Sequence, residues 1–89
     1  MSQIVLYSAP MCGDCQLLKA YMDAEQMEYV VRDIRAEPAY ARELEERTGK
    51  QGVPYVVIDD EWKRGYDPGK PFSEAFARGL FATVEGPGQ

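Results

Sequence analysis

Residues 4–18 read Ile4-Val5-Leu6-Tyr7-Ser8-Ala9-Pro10-Met11-Cys12-Gly13-Asp14-Cys15-Gln16-Leu17-Leu18, and this stretch decides the fold. Gln3 to Tyr7 is rich in β-branched and aromatic residues and is bounded by Ser8-Ala9-Pro10, so it reads as a strand and its exit loop. From Gly13 the period changes. Leu17, Leu18, Tyr21 and Met22 recur at the spacing of one helix face, which predicts a helix to about Gln26. Two cysteines therefore lie at the junction between a strand and the helix that follows it.

Outward from this junction the remaining elements follow in order. Residues 28–33 (EYVVRD) read as a second strand. Pro38 opens a helix in its first turn, where the missing N–H costs nothing, and Gly49 closes it. On that helix Tyr40, Ala41 and Leu44 face inward, while the charged residues, including the acidic run Glu43 to Glu46, read as a solvated face. Tyr55 to Ile58 is an apolar run suited to a buried strand, Asp59-Asp60-Glu61 makes a turn, and Trp62 begins a short return strand. Phe72, Phe76, Leu80 and Val84 repeat every four residues on a last helix, which Asp67 or Pro68 can start. The order β-α-β-α-β-β-α implies an α/β fold. Its first two strands are parallel, a hairpin adds an antiparallel edge, and helices cover both faces. Residues 1–84 are expected to form the domain and residues 85–89 a frayed tail.

Composition narrows the function. The chain has 89 residues, 45% of them hydrophobic and 28% charged, the balance of one small globular domain. No run approaches the roughly 18 apolar residues of a membrane span, and there is no basic n-region before an apolar one, so a cytoplasmic location is expected. Net charge is −5, with ten Lys and Arg against fifteen acids. That disfavours a nucleic-acid partner, which needs a basic footprint.

Cysteine usage is the most informative count. There are two, Cys12 and Cys15. A bridge across so short a loop constrains little unfolded-state entropy, and structural zinc needs four ligands in a chain that has no histidine. The pair is therefore placed for chemistry, and no bound metal is expected. Cys12 lies where a loop meets a helix, so its sulfur is close to free backbone N–H groups that, with the helix dipole, stabilise a thiolate. Asp14 opposes that effect. Cys15 shares a helix face with Cys12, with Cα atoms roughly 5–6 Å apart, within disulfide range. Cys12, nearer the exposed end, is assigned as the nucleophile and Cys15 as the resolving thiol. Half of a metal site, or two incidental core thiols, is the blander alternative.

Three further features each have a functional and a structural reading. Val53-Pro54 precedes a buried strand, so Pro54 is at a strand start, at an edge, or cis; if cis, the Val53 backbone is exposed for an extended substrate. Gly65 suits a close backbone approach, and N–H groups around Tyr66 and Asp67 are candidates for binding a carboxylate, with a glycine turn and helix cap as the alternative. Trp62 and Tyr66 suit hairpin packing better than a docking surface.

Together these residues resemble the glutaredoxin family along nearly the whole chain. Residues 4–8 with Cys12-Gly13-Asp14-Cys15 look like its first strand and active-site motif. Thr48-Gly49-Lys50-Gln51-Gly52-Val53-Pro54 looks like its T-G-x-x-x-V-P segment, which implies that Pro54 is cis. Gly65-Tyr66-Asp67-Pro68 sits where the family carries a glycine motif. The resemblance implies a thioredoxin-like fold, with a central mixed four-stranded sheet and three helices, and thiol–disulfide exchange through Cys12. It places glutathione, if used as co-substrate, with its cysteine beside Cys12 and paired to the Val53 backbone. Arg47, Lys50 or Arg64 would then meet its glycine carboxylate, and Asp67 its amine.

The departures bear on the reductant. Glutathione-dependent members usually have proline where this chain has Gly13, and a basic residue where it has Ala9. The pattern Trp62…Gly65-Tyr66…Pro68 is similar to NrdH-type redoxins, which take electrons from thioredoxin reductase and serve ribonucleotide reductase. The expected function is thus a monomeric thiol–disulfide oxidoreductase acting on protein or low-molecular-weight mixed disulfides, with glutathione or thioredoxin reductase as electron source. A [2Fe–2S] carrier, compatible with the small Gly13, is the alternative from another class.

Overall fold

The computed structural model describes residues 3–82. Its elements are β1 (Ile4–Ser8), α1 (Gly13–Ala24), β2 (Val30–Asp33), α2 (Pro38–Thr48), β3 (Tyr55–Ile58), β4 (Glu61–Arg64) and α3 (Glu74–Leu80). The strands form one sheet in the order β2-β1-β3-β4. β1 is parallel to β2 and antiparallel to β3, and β4 is antiparallel to β3. The α/β class, the element order and the mixed four-stranded sheet with three helices are those expected from sequence.

Alternation along β1 and β3 divides the core in two. Ile4, Leu6, Val56 and Ile58 point to one face and pack with Leu18 and Met22 of α1 and Ala77 of α3. Tyr7 and Val57 point to the other, against Leu44 of α2. Each fully buried Leu or Val contributes about 1.5–3 kcal/mol relative to exposure, so both helical layers are needed to hold the sheet. The β3–β4 register pairs Ile58 with Glu61, leaving Asp59 and Asp60 as a two-residue turn. Their φ values of 49° and 71° are those of a type I′ hairpin turn, which aspartate tolerates.

Helix ends depart from expectation in ways local chemistry explains. α1 ends at Ala24, earlier than Gln26, which has φ 58°. Its buried face is Cys15, Leu18 and Met22; Leu17, expected to face inward, sits about 100° away around the helix and is 50% exposed. The second strand is shorter than the expected residues 28–33. α2 keeps its expected ends, with Pro38 in the first turn and Gly49 left-handed at φ 86°, donating its N–H to the Glu45 carbonyl. α3 starts later than Asp67 or Pro68. Gly69 at φ 77° and the N–H-lacking Pro71 interrupt the chain, and Ser73 becomes the N-cap, accepting from the Phe76 N–H at 3.1 Å. Phe72 therefore lies just outside the helix. Val84 and the tail 85–89 lie outside the described residues.

Glu43 is the clearest correction. Expected on a solvated face, it turns toward the sheet and accepts hydrogen bonds from the Tyr7 hydroxyl and, at 2.7 Å, from Arg32. The register explains it. β1–β2 pairing sets Tyr7 beside Arg32, and a tyrosine buried under α2 needs an acceptor for its hydroxyl. Burial, and next the bond to Glu43, push the Tyr7 pKa up from 10.0 to about 12. The unfolded chain therefore releases this proton before the folded protein does. Tyr7 adds no pH dependence below about 10, and its stabilisation is lost as pH rises toward about 12. Tyr7→Phe keeps the ring stacked on Trp62 but removes that proton. In urea denaturation, the stability gap between wild type and Tyr7→Phe should stay constant between pH 7 and pH 10 and move against the wild type above it.

Candidate active site

Cys12 is the N-cap of α1, with extended φ −101° and ψ 109°. Its sulfur accepts from the Cys15 N–H at 3.1 Å, one of the first-turn N–H groups that have no partner within the helix. Cys12 is half-buried and Cys15 fully buried. The two are joined as a disulfide with Cα atoms 5.2 Å apart, so the structure holds the oxidised form. After reduction, the same N–H and the helix N-terminus face the Cys12 sulfur and favour its thiolate. The exposed and buried members of the pair are those assigned from spacing.

The loop before β3 forms the other wall. The Val53–Pro54 peptide is cis, Pro54 is buried, and the Val53 carbonyl lies 3.7 Å from the Cys12 sulfur. Gly65 ties this wall down. Its N–H donates to the Pro54 carbonyl at 3.0 Å. A Cβ built on it would lie 3.0 Å from Leu18 Cδ2, 3.1 Å from that carbonyl oxygen and 3.3 Å from its carbon. The close approach expected of Gly65 is thus made within the chain.

The other candidates are more dispersed. Tyr66 lies over Gly52, its hydroxyl 3.1 Å from where a Cβ would be, and the Arg64 guanidinium sits 5.7 Å from its ring centre. Asp67 does not begin the last helix. Its carbonyl accepts from the Lys70 N–H, and its carboxylate pairs with the Lys70 ammonium at 3.8 Å, so the N–H groups of Tyr66 and Asp67 do not lie at a helix start. Arg47 lies over Trp62, which stacks on Tyr7 in the hairpin packing favoured from sequence. Lys50 is exposed. Among the described residues no three His, Cys, Asp or Glu side chains converge on a metal position. Two residues of the site were not singled out from sequence. Leu18 meets Gly65, which only tertiary contact reveals, and Met11, 90% exposed, stands beside Cys12. A large apolar residue in a loop just before the dithiol was the available signal.

A family model described as Glutaredoxin matches residues 4–63, which span β1 through most of β4 and include both cysteines and Pro54. The chain belongs to the glutaredoxin family. It is a thiol–disulfide oxidoreductase with a Cys12–Cys15 pair. Solved structures agree on the fold. The glutaredoxin of Archaeoglobus fulgidus superimposes with a TM-score of 0.72 at 19% identity, over 97% of this chain and 89% of that one. A thioredoxin-like protein gives 0.66 at 26% identity, over 72% of this chain and 86% of that one. The buckwheat glutaredoxin, solved as a glutathione complex, gives 0.60 at 26% identity, over 68% of this chain and 58% of that one. No curated protein sequence matches.

The Gly65 contacts predict a graded structural effect. Gly65→Ala presses a methyl group against backbone of Pro54 that has little room to give, and should destabilise by about 1–3 kcal/mol. Urea unfolding measures it; a change under a few tenths of a kcal/mol would mean the contact relaxes freely.

Proposed function

We propose that this glutaredoxin-family chain reduces protein disulfides and low-molecular-weight mixed disulfides in the cytoplasm, as a monomer, with glutathione as reductant. The observation that most supports this is the half-buried Cys12 sulfur at a helix N-terminus, facing the Val53 carbonyl with Cys15 buried beside it. The Cys12 thiolate attacks one sulfur of the substrate disulfide, forming a mixed disulfide and releasing the other sulfur as a thiolate. The Cys15 thiol then loses its proton and attacks the Cys12 sulfur. The second substrate thiolate leaves, and the Cys12–Cys15 disulfide remains, carrying the oxidation taken from the substrate. Two thiols of the reductant return two electrons. An extended substrate is held along the Val53 backbone.

Glutathione suits the surrounding charges. Its amine would compete with Lys70 for Asp67, a partly exposed pair worth at most about 1 kcal/mol. Lys50, Arg47 or Arg64 would meet its glycine carboxylate. The buckwheat glutaredoxin, a structural neighbour, was solved with glutathione. A second reading is favoured by a specific observation. Arg47 and Arg64 are stacked on Trp62 and Tyr66, inside the Trp62–Pro68 segment similar to NrdH-type redoxins. In that reading thioredoxin reductase is the electron donor and ribonucleotide reductase the recipient. Cluster carriage is less supported, because the chain offers one accessible and one buried sulfur, and the remaining ligands would have to come from elsewhere.

One experiment separates these readings. NADPH oxidation with a glutathionylated peptide is followed in two mixtures, one with glutathione and glutathione reductase, the other with thioredoxin reductase alone. Turnover is expected with glutathione. It should be abolished in Cys12→Ser and retained in Cys15→Ser, where glutathione itself resolves the intermediate. Turnover only with thioredoxin reductase would overturn glutathione as the reductant and favour the second reading.

A further inference from the structure

Between α2 and β3 the chain passes through Gly52 and Val53, whose backbone is fixed by few bonds of its own. Lys50 is tied back to α2 through the Thr48 side chain. Pro54 is held by its carbonyl, which accepts from the Gly65 N–H at 3.0 Å. Gly52 and Val53 lie between these anchors and make no backbone–backbone hydrogen bond with the described residues. The Val53 side chain packs against Tyr7, Leu44 and Val57, and its carbonyl lies 3.7 Å from the Cys12 sulfur. Backbone groups left free beside the reacting sulfur suit an extended substrate. Something other than their own hydrogen bonds must then hold them in place.

Tyr66 supplies that constraint. A Cβ on Gly52 would lie 3.1 Å from the Tyr66 hydroxyl oxygen, so the side chain closes over a position that any other residue would crowd. Gly52 has no left-handed φ, so its backbone conformation does not itself call for glycine. What the missing side chain provides is the approach of Tyr66. The Arg64 guanidinium stacks on the same ring, 5.7 Å from its centre. Consecutive residues after β4 thus hold the chain before and after Val53, Tyr66 through Gly52 and Gly65 through Pro54.

We propose that Tyr66 is a positioning residue for the exchange reaction: packed over Gly52, it sets the Val53 backbone where an extended substrate pairs with it. The inference rests on the exchange reading above, and Tyr66 acts in it through Gly52 without touching the reacting sulfurs.

The test uses reduced full-length protein and a peptide whose single cysteine is capped with 2-nitro-5-thiobenzoate. Attack by the Cys12 thiolate on the peptide sulfur forms the mixed disulfide and releases the coloured thiolate. An ester analogue carries oxygen in place of the cysteine residue's own N–H, and so lacks the donor for the Val53 carbonyl. The mixed disulfide of 2-mercaptoethanol with the same cap is the small reference. In the wild type the peptide should react about fivefold faster than its ester, as the net contribution of one hydrogen bond implies. Tyr66→Ala should bring that ratio close to unity, and Gly52→Ala should lower it by pushing the ring away. Tyr66→Phe, which restores the ring, should recover part of it. Each ratio compares two substrates of one protein, so a merely structural role, which lowers stability or the reactivity of Cys12 in general, would not move it. An undiminished ratio in Tyr66→Ala would overturn the positioning proposal alone. A wild-type ratio of unity with the small reference still reactive would overturn pairing to Val53, and the proposal with it. No release even from the small reference would overturn the exchange reading itself.

Discussion

At Gly65 three separate parts of the chain come within contact distance: the end of β4, the Pro54 backbone and Leu18 of α1. Because there is no side chain at this point, the Gly65 N–H reaches the Pro54 carbonyl at 3.0 Å while Leu18 Cδ2 lies 3.0 Å from where a Cβ would be. Leu18 shares the buried face of α1 with Cys15, and Cys12 caps the same helix. The height and rotation of α1 relative to the loop before β3 are thereby coupled to one glycine. The 3.7 Å separation of the Cys12 sulfur from the Val53 carbonyl depends on that coupling, although the two residues are 41 apart in sequence.

This arrangement gives the two cysteines different work. An N-terminal helix dipole is worth about 0.3–1 kcal/mol to a nearby anion, and up to about 2 when partly buried. A charge-assisted hydrogen bond from the Cys15 N–H adds to it at the half-buried Cys12. Cys15 shows no exposed surface, so a charged sulfur there would lose its hydration without comparable compensation. The asymmetry comes from position: one residue at the helix cap, the other three residues further on and facing the core. A single bridge closing so short a loop would stabilise the fold little, which agrees with a redox role for the pair.

What could be read from sequence was local, and what could not was set by distant contacts. Pro38 and Gly49 announced both ends of α2 because capping chemistry lies within a few residues. The Cys12–Cys15 spacing announced a dithiol at a helix start for the same reason. Asp59-Asp60 marked a turn, and its two-residue form followed from the strand register. Glu43 reads as solvated from sequence because nothing within α2 reveals that β1 and β2 bring Tyr7 and Arg32 beneath it. Asp67-Pro68 looked like a helix start because both residues suit one. Only the left-handed Gly69 and the following Pro71 deferred the helix to Ser73. Leu17 shows the angular ambiguity of a short pattern, since adjacent leucines differ by about 100° and one of them must leave the core.

The central claim is that the helix cap makes Cys12 the attacking sulfur and that burial keeps Cys15 in reserve. The most direct measurement is brief treatment of the reduced protein with limiting iodoacetamide at neutral pH, followed by peptide mapping by mass spectrometry. The account predicts carbamidomethylation of Cys12 with Cys15 unmodified. Modification of Cys15 first, or of both at equal rates, would contradict it.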